Sequence, residues 1–281
     1  MNNIQKVALV GNSNPPKDIQ EVYKIEQVLT KLGLDVVLSP TLLERTLFNG
    51  AKKAQIMNEY YADNTIDAIF DISGGDTANG VLNNLDYSLI RNQKKKFYGY
   101  SDITTVLNSL ISQSDQSVEL FQVSTLVWDK SGKQINKFKA SFLNDTDDLY
   151  QTAWKFIQGS EIKGVVIGGN IRCFLKLAGT RYMPDLTNKI LFLESLGGGE
   201  ENLYSMVHQL KELDKFDRIS GLLLGTFTYY QENYKQSVEQ LIQNILMDNS
   251  LPIAKTEEIG HGRNSNSLKL GDYINISKSI Q

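Results

Sequence analysis

Three places in this sequence put polar residues where an apolar run ends, and each could do chemistry. The first is Asp71-Ile72-Ser73-Gly74-Gly75-Asp76-Thr77-Ala78-Asn79-Gly80. A strand, a tight glycine turn and a new helix form the layout of a nucleophile elbow, and N–H groups at the start of the helix suit an anion or an oxyanion. The second is Glu194, which closes the apolar run Ile190-Leu191-Phe192-Leu193. A carboxylate there can orient a histidine, because a buried carboxylate requires a partner. The third is Gly260-His261-Gly262, where a histidine between glycines has no apolar face to join and is expected on a tight, exposed turn. These residues alone leave plain alternatives open: a connecting glycine turn, a solvated strand-end glutamate and a surface histidine. The second histidine, His208, lies within helical spacing and reads as a packing or surface residue, while Cys173 reads as a buried structural thiol.

Strands and helices must alternate to bring such sites together. Short apolar runs at 6–10, 34–38, 68–72 and 96–100 are expected strands, with helices at 18–32, within 41–63, at 79–90 and at 104–112. That alternation predicts a mainly parallel sheet covered on both faces. Residues 114–146 are polar and poorly periodic, apart from a strand-like 119–127, and 147–158 reads as a helix. Strands are expected again at 164–170, 189–194 and 221–227, with helices at 201–213 and 237–247 and strands and turns over 253–276. The expected fold is α/β: a flavodoxin-like α/β sandwich over 1–115, a crossover over 116–160, and a smaller mixed α/β domain over 161–281.

The bulk properties exclude several functions. The 281 residues carry 29 basic and 32 acidic side chains, a formal charge of −3, mixed along the chain. Lys94-Lys95-Lys96 stands without interleaved aromatics, so no nucleic-acid partner is expected. Two histidines and one cysteine without metal-ligand spacing predict no metal. No G-x-G-x-x-G follows the first strand and no G-x-x-x-x-G-K-[ST] occurs, so no nucleotide cofactor is expected. Apolar runs such as Gly221-Leu222-Leu223-Leu224 are too short to span a bilayer, and the start, Met1 to Lys6, has no export signal. With a single cysteine, these features predict a cytoplasmic protein.

An ordered set of motifs resembles the LD-carboxypeptidase and microcin C immunity family of serine peptidases. Its members are similar in Val7-Ala8-Leu9-Val10 with Asn14-Pro15-Pro16, in Asp67-Ala68-Ile69-Phe70 through Gly74-Gly75, and in Leu82-Asn83-Asn84-Leu85-Asp86-Tyr87. Further matches are Gly99-Tyr100-Ser101-Asp102-Ile103-Thr104, Gly168-Gly169-Asn170 with Leu177-Ala178-Gly179-Thr180, Ile190 to Glu194, and Gly260-His261-Gly262 with Asn264. The resemblance implies a serine-histidine-glutamate triad in a cleft between two domains, acting without a cofactor on murein-type LD-peptides or peptidyl nucleotides. It also implies a homodimer. Carried over, the glutamate is Glu194 and the histidine His261, with Gly74, Gly75, Asn79, Ser101 and Asp102 as oxyanion or substrate-binding residues. The serine is expected three positions after the paired glycines, where this chain has Ala78; Ser73 and Thr77 are out of place to substitute. On that reading the chain is inactive or impaired, through natural divergence or an engineered change, or it is a binding protein on a peptidase fold.

Overall fold

The computed structural model describes residues 6–213 and 216–278; Met1 to Gln5, read above for an export signal, lie outside them. Five parallel strands build the first sheet: β1 (Lys6–Val10), β2 (Asp35–Leu38), β3 (Ala68–Asp71), β4 (Lys96–Gly99) and β5 (Val118–Leu120). Their order is 2-1-3-4-5, the flavodoxin-like winding, which reverses direction between β1 and β3. Continuous apolar runs such as Val7-Ala8-Leu9-Val10 are buried on both faces, as parallel strands under two helical layers must be. The helix Ile19–Lys31 begins where the Asp18 carboxylate accepts from Gln20 N (2.8 Å) and ends before Gly33, whose φ of +91° suits glycine.

The second sheet holds β6 (Lys155–Gln158), β7 (Glu161–Asn170), β8 (Lys189–Ser195), β9 (Gly221–Phe227) and β10 (Ile253–Lys255). Strands β7 to β10 run parallel, and β6 lies antiparallel to β10. The chain then crosses back. Strand β11 (Leu268–Leu270) adds to the first sheet antiparallel to β5, and β12 (Tyr273–Ser277) adds to the second antiparallel to β7. The expected domain of 161–281 therefore returns a strand to the first sheet, and the two units are stitched at β11–β12.

Three expected elements differ. The segment 116–160 is not a bare crossover: β5 joins the first sheet, and Phe121, Phe138 and Phe142 pack with Phe70 and Tyr98 in one buried cluster. Phe70 stacks on Tyr98 at 4.5 Å between ring centroids and Phe138 on Phe142 at 4.8 Å, so truncating any of these rings would cost about 3–5 kcal/mol. The helix expected at 147–158 is a turn followed by β6, because Phe156 pairs with Ala254 in the second sheet and tertiary pairing overrides local preference. The helix expected at 79–90 is two short 3₁₀ turns, Ala78–Gly80 and Leu82–Asn84, before the helix Tyr87–Gln93. Gly80 and the asparagines interrupt it, and Asp86 restarts it by accepting from Leu89 N at 2.9 Å. Among the described residues no helix is long and apolar enough to cross a membrane.

Candidate active site

In a doubly wound sheet the loops at the carboxyl ends of the strands, beside the reversal of winding, form the natural crevice. Here these are the loops after β1, β3, β4 and β5. They line a cavity of about 790 Å³ whose wall includes Asn14, Gly74, Gly75, Ser101, Gln122 and His261.

Asp71, at the end of β3, laces two of these loops together. Its carboxylate accepts from Asn12 N (3.1 Å) and Nδ2 (2.8 Å), and from Ser73 N (2.9 Å) and Oγ (2.6 Å). Burial pushes its pKa up to about 6 against those four donors. The glycine turn that follows is held along its length. Gly75 has φ +122° and presses on the Asn14 side chain, where a Cβ would collide. Asp76 N donates to Asn14 Oδ1 (2.8 Å), Thr77 N to Ser13 Oγ (3.4 Å) and Ala78 N to Asp102 Oδ2 (2.9 Å).

Ala78 does not stand at a nucleophile position. Its side chain is 0% exposed, packs in the same core cluster as Val81 and Ile103, and is not on the cavity wall. The 3₁₀ turn starting at Ala78 carries the methyl group into the interior, so a serine there would bury its hydroxyl instead of presenting it. Asn79 is exposed and lies off the cavity, so its expected oxyanion role fails with that of Ala78.

The elbow is one strand further along. Strand β4 ends at Gly99, Tyr100 is extended, Ser101 has φ +56°, and Ser101–Ile103 leads directly into the helix Thr104–Ser114. A left-handed serine between strand and helix costs about 1–3 kcal/mol and marks a functional turn. Gly99 makes it feasible, since a Cβ there would strike Ile103 across the bend. Ser101 therefore sits at the tip and lines the cavity. Asp102, expected to bind substrate, is instead wholly buried off the cavity wall. Its carboxylate accepts from Ser13 Oγ (2.6 Å), Ala78 N (2.9 Å) and Lys176 Nζ (2.5 Å), so it ties together the loops behind Ser101.

The second domain brings Glu194 and His261 to the same place. His261 Nδ1 is 2.6 Å from Glu194 Oε2, and Asn170 Nδ2 donates to Glu194 Oε1 at 3.1 Å. Since a carboxylate only accepts, the imidazole proton belongs on Nδ1 and the Nε2 lone pair is left to act as a base. His261 Nε2 is buried without a protein partner. The histidine side chain is only 6% exposed, against the expected solvent-facing turn, because its ring packs edge-on to Tyr100 at 5.0 Å. Burial, then the neighbouring Glu194 carboxylate, push the Tyr100 hydroxyl well above the usual phenol range, which keeps it neutral. Gly260 is required because a Cβ would overlap Thr226.

The structure thus gathers Gly74, Gly75, Ser101, Glu194 and His261, and leaves Ala78, Asn79 and Asp102 off the cavity wall. Sequence reasoning missed Asn14, Gln122 and Asn170. Asn170 stood within a quoted motif, and Gly99-x-Ser101 after a strand was the missed sign of the elbow. Gln122, whose Oε1 is buried without a partner on the cavity wall, left no local signal.

Two family models match this chain. The LD-carboxypeptidase N-terminal domain covers residues 7–119 and the LD-carboxypeptidase C-terminal domain residues 163–276. The chain belongs to the LD-carboxypeptidase family of peptidases. A Bacillus subtilis (strain 168) protein named "Probable murein peptide carboxypeptidase" is 25% identical over 96% of this chain and 88% of its own length. The Escherichia coli microcin C7 self-immunity protein MccF is 24% identical over 82% of this chain and 78% of its own. The fold superposes on MccF in complex with glutamyl sulfamoyl guanosine with a TM-score of 0.86 at 19% identity, covering 99% of this chain and 94% of that one. A muramoyltetrapeptide carboxypeptidase from Oxalobacter formigenes gives 0.82 at 19% identity, over 98% and 96%.

Proposed function

We propose that this chain is a catalytically competent serine peptidase with Ser101 as nucleophile, His261 as general base and acid, and Glu194 as the group that orients the histidine. The observation that carries the reading is the left-handed Ser101 at the strand–helix junction, on the cavity wall that also holds the buried, unpartnered His261 Nε2. Ser101 Oγ attacks the carbonyl carbon of the scissile amide as Nε2 takes its proton. The imidazolium is stabilised through Nδ1–H by Glu194, itself steadied by Asn170. The oxyanion is met by the backbone N–H of Asp102, next after the nucleophile, and by the backbone of the Gly74-Gly75 turn. His261 then protonates the leaving amine, and water released by the same base clears the acyl-enzyme.

The substrates this reading favours are murein-type LD-peptides, by kinship with relatives so named. A second reading, a peptidyl nucleotide, rests on Trp128, whose place on the cavity wall offers a stacking surface for a base. The single buried thiol suits a cytoplasmic protein, and the homodimer expected from the family is testable by light scattering. With Ala78 in the core, the ground for an inactive binding protein disappears. The test is to incubate the purified chain with D-terminal muropeptides and with aminoacyl sulfamoyl nucleotides and follow product release by mass spectrometry. Hydrolysis of either by the wild type, lost in Ser101→Ala, supports the reading. Equal rates in both proteins overturn it.

A further inference from the structure

The second domain reaches the glycine turn through a helix of its own, and the reach is more extensive than the Glu194–His261 pair requires. The helix Ile171–Leu175 starts at Asn170, the residue that steadies Glu194, and Asn170 also caps it by accepting from Cys173 N. Arg172 and Lys176 are four apart, on one face of that turn. Arg172 Nη2 donates to Gly75 O at 3.0 Å, and its Nη1 pairs with the Asp76 carboxylate. Lys176 Nζ donates to Asp76 O at 2.9 Å and to Asp102 Oδ1 at 2.5 Å, with Asp76 Oδ1 at 3.5 Å.

Taken with the bonds from the first domain, these contacts grip the glycine turn one peptide unit after another. In the Gly75–Asp76 unit, the carbonyl faces Arg172 and the N–H faces Asn14. In the Asp76–Thr77 unit, the carbonyl faces Lys176 and the N–H faces Ser13. The next N–H, of Ala78, goes to Asp102, whose other oxygen is the one held by Lys176. The base of the helix is docked in turn on the helix that follows Ser101. Asn170 N donates to Thr104 Oγ1 at 3.0 Å, and Gly168 and Asn108 exchange bonds at 3.0 and 2.8 Å.

We propose that Arg172 and Lys176 are positioning residues, through which the second domain sets the backbone of the glycine turn and the Asp102 carboxylate behind Ser101. This rests on the reading of Ser101 as nucleophile. One short helix then carries both adjustments of the site: Asn170 orients the Glu194–His261 pair, and the Arg172–Lys176 face sets the turn that meets the oxyanion. Lys176 carries more of the effect. Its side chain is 18% exposed and serves a wholly buried carboxylate, whereas Arg172 and Asp76 are half or more exposed and screened by salt.

The test compares the wild-type chain with Lys176→Met, Lys176→Arg, Arg172→Gln and Ser101→Ala. Three readouts are used: the rate of covalent labelling by a fluorophosphonate, the kcat and KM on whichever peptide the wild type cleaves, and hydrogen exchange of the backbone amides of residues 75–78. Lys176→Met is expected to slow labelling and kcat by about tenfold or more, with KM within about twofold, as misplaced donors do. Amide exchange at 76–78 should rise, and Lys176→Arg should recover most of the rate. Arg172→Gln, on a half-exposed side chain that tolerates change, should slow labelling about threefold, and about 1 M salt should do the same to the wild type. If Lys176→Met fails to fold, Arg172→Gln decides. Wild-type labelling and exchange in the folded variants overturn the proposal while leaving the Ser101 reading intact. Labelling that persists undiminished in Ser101→Ala overturns that reading, and the proposal with it.

Discussion

His261 Nδ1 lies 2.6 Å from a carboxylate oxygen of Glu194 although 67 positions separate the two residues, and Glu194 has no solvent exposure at all. A buried carboxylate needs its partners. Glu194 finds them in His261 on one oxygen and Asn170 on the other. Replacing Glu194 by glutamine keeps the shape but offers Nδ1 a group that can also donate, which invites the wrong tautomer. Steady-state kinetics on Glu194→Gln should show kcat reduced about 10⁴-fold with KM little changed. A loss below about tenfold would remove Glu194 from the mechanism.

Ser101 and Ala78 exchange the roles that spacing alone suggests. Ser101→Ala should cost about 10⁴-fold or more in kcat while substrate binding persists. Ala78→Ser should bring no gain in rate and should lower the thermal midpoint, since it adds a hydroxyl to the apolar core. An Ala78→Ser protein with raised activity would restore the glycine turn as the elbow.

Gly75→Ala meets two obstacles, a φ of +122° and the Asn14 side chain against the missing Cβ. The substitution should destabilise by about 1–3 kcal/mol and depress kcat more than KM. Urea unfolding beside kinetics checks both. An unchanged kcat would mean that the turn plays no part in meeting the oxyanion.

Glu119 supplies a pH dependence. It accepts from Ser267 Oγ (3.0 Å) and Tyr150 OH (3.2 Å), and burial pushes its pKa from 4.5 to about 7. Between those values the folded chain binds more protons than the unfolded one, so stability falls as pH rises. Its contribution is fully present below 4.5 and lost as pH passes about 7, a change of order 3 kcal/mol. Thermal unfolding of Glu119→Gln from pH 4.5 to 8 should follow a flatter profile than the wild type. A parallel profile would assign the slope to other groups.

Cys173 is buried, and desolvation pushes its thiol up to about 12. Iodoacetamide at pH 8 should leave it unmodified in the folded chain and alkylate it once the chain is unfolded, because only the thiolate reacts. Rapid modification of the native protein would contradict the burial.

The sequence by itself determined the alternation of strands and helices, and hence the parallel sheets and the carboxyl-end crevice. Apolar periodicity and glycine punctuation are local properties and can be read residue by residue. It also pointed to Glu194 and His261, through an ordered set of motifs. The tertiary structure decided what local pattern could not. Two strand–turn segments, at Gly74-Gly75 and at Gly99-Tyr100-Ser101, look alike as text. Which one aims a side chain into the cavity depends on the φ of a single residue and on whether the next helix starts at once or after a 3₁₀ turn. Burial of Ala78 and of the Asp102 carboxylate is a property of what packs against them from distant segments. So is the grip of Arg172 and Lys176, which acts across about 100 positions of chain onto a turn in the other domain.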